Sequence, residues 1–357
     1  MSSVHCYTSI SFSYLSRARV LAETVRKYHP DWTLWICISD REPDGFTFEL
    51  EDEQFDHVLW ADEFGIPELR SWMFKHNVVE MCTAVKGLAL NRILDAGADT
   101  VVYLDPDIAL FSDLAIVAEP DKSSVLLTPH LTDPETTDAS ILENERSALL
   151  HGVYNLGFLA VRNTAEGRRF ARWWQDRLML RCYEEAAFGV YTDQRWCDLV
   201  PAMFEGVKVV RDAGLNVASW NLSNRTLSVD TSGQLLVNGV PLRFFHFTKI
   251  DHVGEVMIER YARGTLVFEL IKWYRTAMHT HEAQGVPNCR WAYERYSDGT
   301  PIAQYHRRLY RARRDLEVTF PNPFDALTYL AWLRLNGLEN GPRSDSDDVP
   351  SLTPAVG

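Results

Sequence analysis

Asp105 and Asp107, separated by one proline, interrupt the apolar stretch TVVYLDPDIALF, which runs from Thr100 to Phe111. Pro106 has no N–H to donate to a strand ladder, so the chain turns there. Two carboxylates flanking a turn converge on one point. Their mutual repulsion there raises a pKa unless a hard cation, Mg²⁺ or Mn²⁺, relieves it. An acidic turn capping the next segment would use the same residues. The tripeptide alone is uninformative, because Asp345 and Asp347 repeat it in a C-terminal stretch without aromatic residues or periodicity. What sets the first pair apart is its place at the C-terminal end of a strand, where open α/β sheets bind ligands.

Three further segments carry polar groups that suit such a site. VYNLGFLAVR places Asn155 and Gly157 before an apolar strand. The asparagine offers a donor and an acceptor, and the glycine permits close approach to backbone, although a plain turn has the same composition. YTDQRWCDLVP puts Asp193 and Gln194 at a helix start, where Asp also serves as an ordinary N-cap. RFFHFTKIDH sets His246 in an aromatic strand with Lys249 just beyond it. A lone histidine in such a strand is more often a hydrogen-bonded core residue than a ligand.

The elements that must position these residues read as α/β. Val4–Ser9 is a strand, Tyr14–Tyr28 an amphipathic helix and Thr33–Ser39 a buried strand, which together form a βαβ unit and call for a parallel sheet. A short strand follows at His57–Trp60, then a helix over Cys82–Ala96 that stops at Gly97. Thr100–Leu104 then runs into the aspartates. Later strands are expected at Val125–Thr128, Phe158–Val161, Val207–Val210 and Leu242–Phe247, with a hairpin turning at Ser232-Gly233. From about residue 255 the pattern is helical.

The bulk composition narrows the function. The 357 residues, 46% hydrophobic, can bury a large core. The 36 Lys+Arg against 49 Asp+Glu give a net charge of −13, which repels nucleic acid. The six cysteines show no zinc spacing or C-x-x-C pair and read as free thiols in a reducing compartment. MSSVHCYTSISFSYLSRARV lacks a signal pattern, and no window reaches the roughly 18 apolar residues of a membrane span. The expected location is the cytoplasm.

Taken in order, strand-D-x-D, N-x-G, D-Q and a late H-F resemble the retaining glycosyltransferases of the glycogenin and bacterial lipooligosaccharide galactosyltransferase type. The resemblance covers roughly residues 4–250. It implies a GT-A (Rossmann-like) domain with a mixed, mainly parallel sheet, followed by a mainly helical region. It implies a nucleotide-diphosphate sugar donor, a UDP-sugar by family, and a glycan or glycolipid acceptor of bacterial surface polysaccharide synthesis. By the same resemblance Asp105, Asp107 and His246 would hold Mn²⁺ or Mg²⁺, and Lys86 would face the donor. Thr8 and Ser9 would line the nucleotide pocket, with Asn155, Gly157, Asp193 and Gln194 near the sugar. This sequence lacks the family's late Lys-Pro-Trp, and Lys249 or His252 would take over its phosphate contact. A sugar-1-phosphate nucleotidyltransferase is the alternative, but the loop TSISFSY lacks the glycines such an enzyme uses. A non-catalytic sugar-nucleotide binder is the third reading.

The expected division is a catalytic domain over 1–254, a helical region over 255–340 and a disordered tail over 341–357. In RRLYRARR, Arg307, Arg308, Arg311, Arg313 and Arg314 form either a solvated basic face or a contact with anionic lipid. Leu327, Leu330 and Leu333 downstream fall at helical spacing, as core or as a membrane-facing stripe.

Overall fold

The computed structural model describes residues 3–119, 123–250, 253–285 and 289–341. His252 and the tail beyond Gly341 lie outside them. The chain packs as two compact units, one of Met1–Ile66 with Val78–Ala292 and one of Pro67–Asn77 with Tyr293–Gly357.

The first unit is built on a seven-stranded sheet. Its strands include β1 (Val4–Ile10), β2 (Thr33–Ile38), β3 (His57–Trp60), β4 (Thr100–Leu104), β6 (Val125–Pro129) and β7 (Tyr154–Arg162). β5 (Ile108–Leu110) leaves this sheet for a separate ladder. The order is Val207–Val209, β6, β7, β4, β1, β2, β3. β1 and β2 pair in parallel across the helix α1 (Leu15–Tyr28), as the βαβ pattern requires. Only β7 runs against its neighbours β4 and β6, which makes the sheet mixed and mainly parallel. Leu15, Ala18, Leu21, Ala22 and Val25 of α1 pack with Cys6, Ile10, Leu34, Ile36 and Ile38 of the strands in one apolar cluster.

Two local differences from the sequence reading bear on the site. The helix expected over Cys82–Ala96 is two helices, Val78–Ala84 and Lys86–Asp95, so Lys86 opens the second one. Asn155 and Gly157 lie inside β7 rather than in a turn before it. Leu227–Val229 and Leu235–Val237 form the expected hairpin, with Gly233 at φ +88°.

The helices Val253–Tyr261 and Leu266–Glu282 pack within the first unit. Ile258, Val267, Leu270, Ile271, Tyr274 and Met278 join Phe245 and Phe247 in a second core cluster. Phe247 stacks on Tyr274 with centroids 4.0 Å apart. The helical stretch after residue 254 is therefore divided between the units, because its first two helices bury their apolar faces beside the strand carrying His246.

In the second unit Phe74, Tyr296, Tyr310, Phe324 and Tyr329 form an aromatic core. Arg307 is buried there and donates to the carbonyls of Phe74, His76 and Tyr293. It belongs to neither a solvated face nor a lipid contact, whereas Arg308, Arg313 and Arg314 are exposed. Leu330 and Leu333 are core and Leu327 is exposed, so the three do not share an outward stripe. No described helix is long and apolar enough to cross a membrane.

Candidate metal and donor site

The strand reversal at β7 assembles the site. Because β7 is antiparallel to β4, its first residues lie beside the C-terminal end of β4, with Phe158 paired to Leu104. The Asp105 N–H donates to the Gly157 carbonyl at 2.9 Å, and the Ile108 N–H closes the turn onto the Asp105 carbonyl at 3.1 Å. β5 then pairs antiparallel with Phe244–His246, which sets His246 opposite Ile108. The Phe247 N–H donates to the Asp107 carbonyl at 2.7 Å. Residues 140 positions apart are thereby fixed side by side through backbone bonds.

Asp105, Asp107 and His246 each offer a ligand atom within 4.8 Å of the others. His246 Nε2 is 3.0 Å from Asp107 Oδ1 and 3.6 Å from Asp105 Oδ2. Burial pushes the Asp107 carboxyl up, but the charge and hydrogen bond of His246 outweigh it and hold the group below the usual carboxylate range. Burial pulls His246 down, and Asp107 and then Asp105 more than reverse that. Two carboxylates and an imidazole suit a divalent cation of the Mg²⁺ or Mn²⁺ class, so the donor set fits the expected metal.

Lys86 supports this cluster from behind. Its Nζ donates to Asp105 Oδ1 at 3.2 Å and Asp193 Oδ2 at 3.0 Å, and it lies 4.1 Å from the centre of the Tyr103 ring. Burial opposes its charge, yet the two carboxylates leave it above the ordinary lysine range. The Tyr103 hydroxyl donates to Asp105 Oδ1 at 2.5 Å, and burial, then the Asp105 charge, keeps that phenol protonated. Asp105 Oδ1 is thus taken by two donors, leaving Oδ2 toward His246. Asp193 stands at the N-cap position of Gln194–Cys197 but makes no capping bond with its side chain, which turns to Lys86 instead. Burial raises its carboxyl above the usual range, and Lys86 opposes that without cancelling it.

Asn155 links the remaining polar groups. Its Nδ2 donates to Gln194 Oε1 and to His130 Nε2, both at 3.1 Å, and its Oδ1 accepts the Gly157 N–H at 3.0 Å. Burial lowers His130 to about 4, so its ring is neutral and Nε2 accepts. Gly157 has no room for a side chain, since a Cβ there would sit 2.5 Å from His246 Cε1. The glycine admits the histidine ring rather than a ligand.

These groups face a cleft of about 720 Å³, within the range of small-ligand sites. Ser9, Lys86, Asp105, Asp107, Asn155, Asp193, Gln194, His246 and Lys249 line it. Thr8 and Gly157 do not. Thr8 is buried within β1. Sequence reasoning passed over Tyr103, His130, Arg17 and Trp220, which also line the cleft, and Asn216, whose Oδ1 lies 3.3 Å from His246 Nδ1. Tyr103 sat within the quoted strand, whereas no local pattern marks the others.

The chain is 27% identical over 263 residues to the uncharacterized protein YfnD of Bacillus subtilis strain 168, covering 71% of this chain and 80% of that protein. It is 25% identical over 288 residues to YfnF of the same strain, also uncharacterized, covering 78% and 93%. No protein-family model matches. Among solved structures, a glycosyltransferase involved in glycosylating the major capsid of PBCV-1 is similar over 73% of this chain and 98% of its own, at 9% identity and TM-score 0.39. The glycosyltransferase GlyE of Streptococcus pneumoniae TIGR4 is similar over 80% and 64%, at 13% identity and TM-score 0.39. Likeness at that level carries no functional argument, which rests on the site itself.

Proposed function

We propose that this chain is a GT-A glycosyltransferase moving a sugar from a nucleoside-diphosphate sugar, a UDP-sugar by resemblance, to a hydroxyl of a glycan or glycolipid in surface polysaccharide synthesis. The observation that supports it most is the convergence of Asp105, Asp107 and His246 at the C-terminal edge of the sheet, on the wall of one large cleft. Those three side chains would hold Mn²⁺ or Mg²⁺. Such an ion, when bound, neutralises negative charge developing on a departing diphosphate. Lys249, on the cleft wall, adds a cation for the phosphates, while Lys86 fixes the carboxylate of Asp105.

Retention of configuration accords with the groups beside the expected sugar. Asp193 is committed to Lys86, and Gln194 Oε1 accepts from Asn155 Nδ2 and, at 3.4 Å, from the Leu156 N–H. Neither is disposed as a base that strips a proton from an acceptor hydroxyl on the opposite face. Any contact with an anionic membrane would fall to the exposed Arg308, Arg313 and Arg314.

The test is nucleotide release from a panel of nucleotide sugars with Mn²⁺, Mg²⁺ or a chelator, with the product anomer read by NMR. Metal-dependent release of a nucleoside diphosphate, abolished in Asp107→Ala, is expected. Turnover of Asp107→Ala at the wild-type rate would sink the metal role. Pyrophosphate formation from a nucleoside triphosphate and a sugar phosphate would replace the transferase reading with a nucleotidyltransferase.

A further inference from the structure

His246 is the metal-site residue contributed by the most distant segment, and something must fix which ring nitrogen faces the carboxylates. We infer that Asn216 is the positioning residue that does so, an assignment that rests on the metal-dependent reading above. Asn216 is fully buried and holds φ at +54°, a backbone state that asparagine tolerates better than most residues. Its carbonyl accepts from Asn221 Nδ2 at 2.9 Å. The next residue is bonded to the histidine strand twice, through Val217 N–H to the Phe244 carbonyl and His246 N–H to the Val217 carbonyl. Backbone bonds therefore tie the loop to the strand.

The side chain of Asn216 is oriented at both ends. Nδ2 lies 3.5 Å from Thr128 Oγ1, and Oδ1 lies 3.3 Å from His246 Nδ1. An amide oxygen only accepts, so Nδ1 carries the hydrogen. The imidazole then offers its Nε2 lone pair to an ion shared with Asp107 and Asp105. Gly157 leaves space for the ring on one side, and Trp220 meets it edge-on with centroids 5.3 Å apart. A metal-ligating histidine is usually held by a carboxylate, a backbone carbonyl or water; here a neutral side-chain amide takes that place.

The test compares Mn²⁺ binding to the full chain by electron paramagnetic resonance in wild type, Asn216→Gly, Asn216→Asp and Asp107→Ala. Glycine suits the positive φ and removes the acceptor together with the Nδ2 contact to Thr128, whereas aspartate keeps an oxygen in place. Asn216→Gly is expected to bind Mn²⁺ roughly 10- to 100-fold more weakly, with Asn216→Asp close to wild type. Nitrogen NMR of His246 in the protein saturated with Mg²⁺ is expected to show an Nδ1–H protected from solvent exchange in wild type and an unprotected one in Asn216→Gly. Wild-type affinity and exchange protection in a folded Asn216→Gly overturn the assignment. Should that variant not fold, the wild-type spectrum decides: an unprotected Nδ1–H overturns the role and a protected one sustains it. Wild type binding Mn²⁺ no better than Asp107→Ala is a different failure, because it removes the metal site and the role of Asn216 with it.

Discussion

Replacing Lys86 by methionine isolates the electrostatics that support the metal cluster. The side chains of Lys86 and Asp193 are only 6% and 3% exposed, so the ammonium is the main compensation for a carboxylate removed from water. Breaking a buried pair by deleting one partner costs about 3–5 kcal/mol, because the other charge is left without compensation. Asp105, with a side chain 25% exposed, adds less, since solvent screens it. The loss in Lys86→Met is therefore expected near the lower half of that range at pH 8, measured by urea denaturation of the metal-free protein. The pH dependence gives a second handle. Asp193 already titrates above its usual value through burial, and removing Lys86 moves it further up. A carboxyl whose folded pKa exceeds its unfolded one stabilises the fold below the unfolded pKa and ceases to as pH rises through the folded pKa. The variant should thus lie closer to wild type at pH 4.5 than at pH 8, and adding Asp193→Asn should recover much of the loss. A deficit under about 1 kcal/mol, or one independent of pH, would refute the reasoning.

Gly157→Ala forces a Cβ to within 2.5 Å of His246 Cε1 and 2.7 Å of Asn155 Oδ1, so about 1–3 kcal/mol of stability and much of the Mn²⁺ affinity should go together. Calorimetry with and without Mn²⁺ reads both, and unchanged metal binding would contradict the packing. Burial holds His76 at about 3, below its unfolded value of 6.5. Its contribution to stability is complete above pH 6.5 and falls by up to roughly 1.4 kcal/mol per pH unit as pH drops toward that folded value. Denaturation of His76→Gln between pH 7 and 4.5 should show a shallower slope than wild type. Arg307→Met leaves the Phe74, His76 and Tyr293 carbonyls without their guanidinium donor, on the order of 3 kcal/mol or more. Arg307→Lys should restore only part, because an ammonium lacks the planar fork, and hydrogen exchange across residues 293–335 would record the difference.

The sequence by itself determined the sheet-forming pattern and the place of the aspartates. β-branched runs, the α1 periodicity and Pro106 act over a few residues, so a local reading recovers them. It also marked Asp193 and Gln194 at a helix start, Asn155 before a strand and His246 within one, without deciding between structural and site roles. Only the tertiary structure showed which partners their side chains take. Asp193 looks like an N-cap until Lys86, 107 residues earlier, is seen to bond it. Gly157 looks like a turn residue until the His246 ring is found against it. RRLYRARR looks uniformly basic and exposed until Arg307 is found among buried carbonyls. Asn216 carries no sequence signal, because its role arises from a 3.3 Å contact with a ring 30 residues away. The physical reason is common to all four. Each residue's neighbour is set by strand pairing or by packing between segments far apart in sequence, and no local propensity encodes that distance.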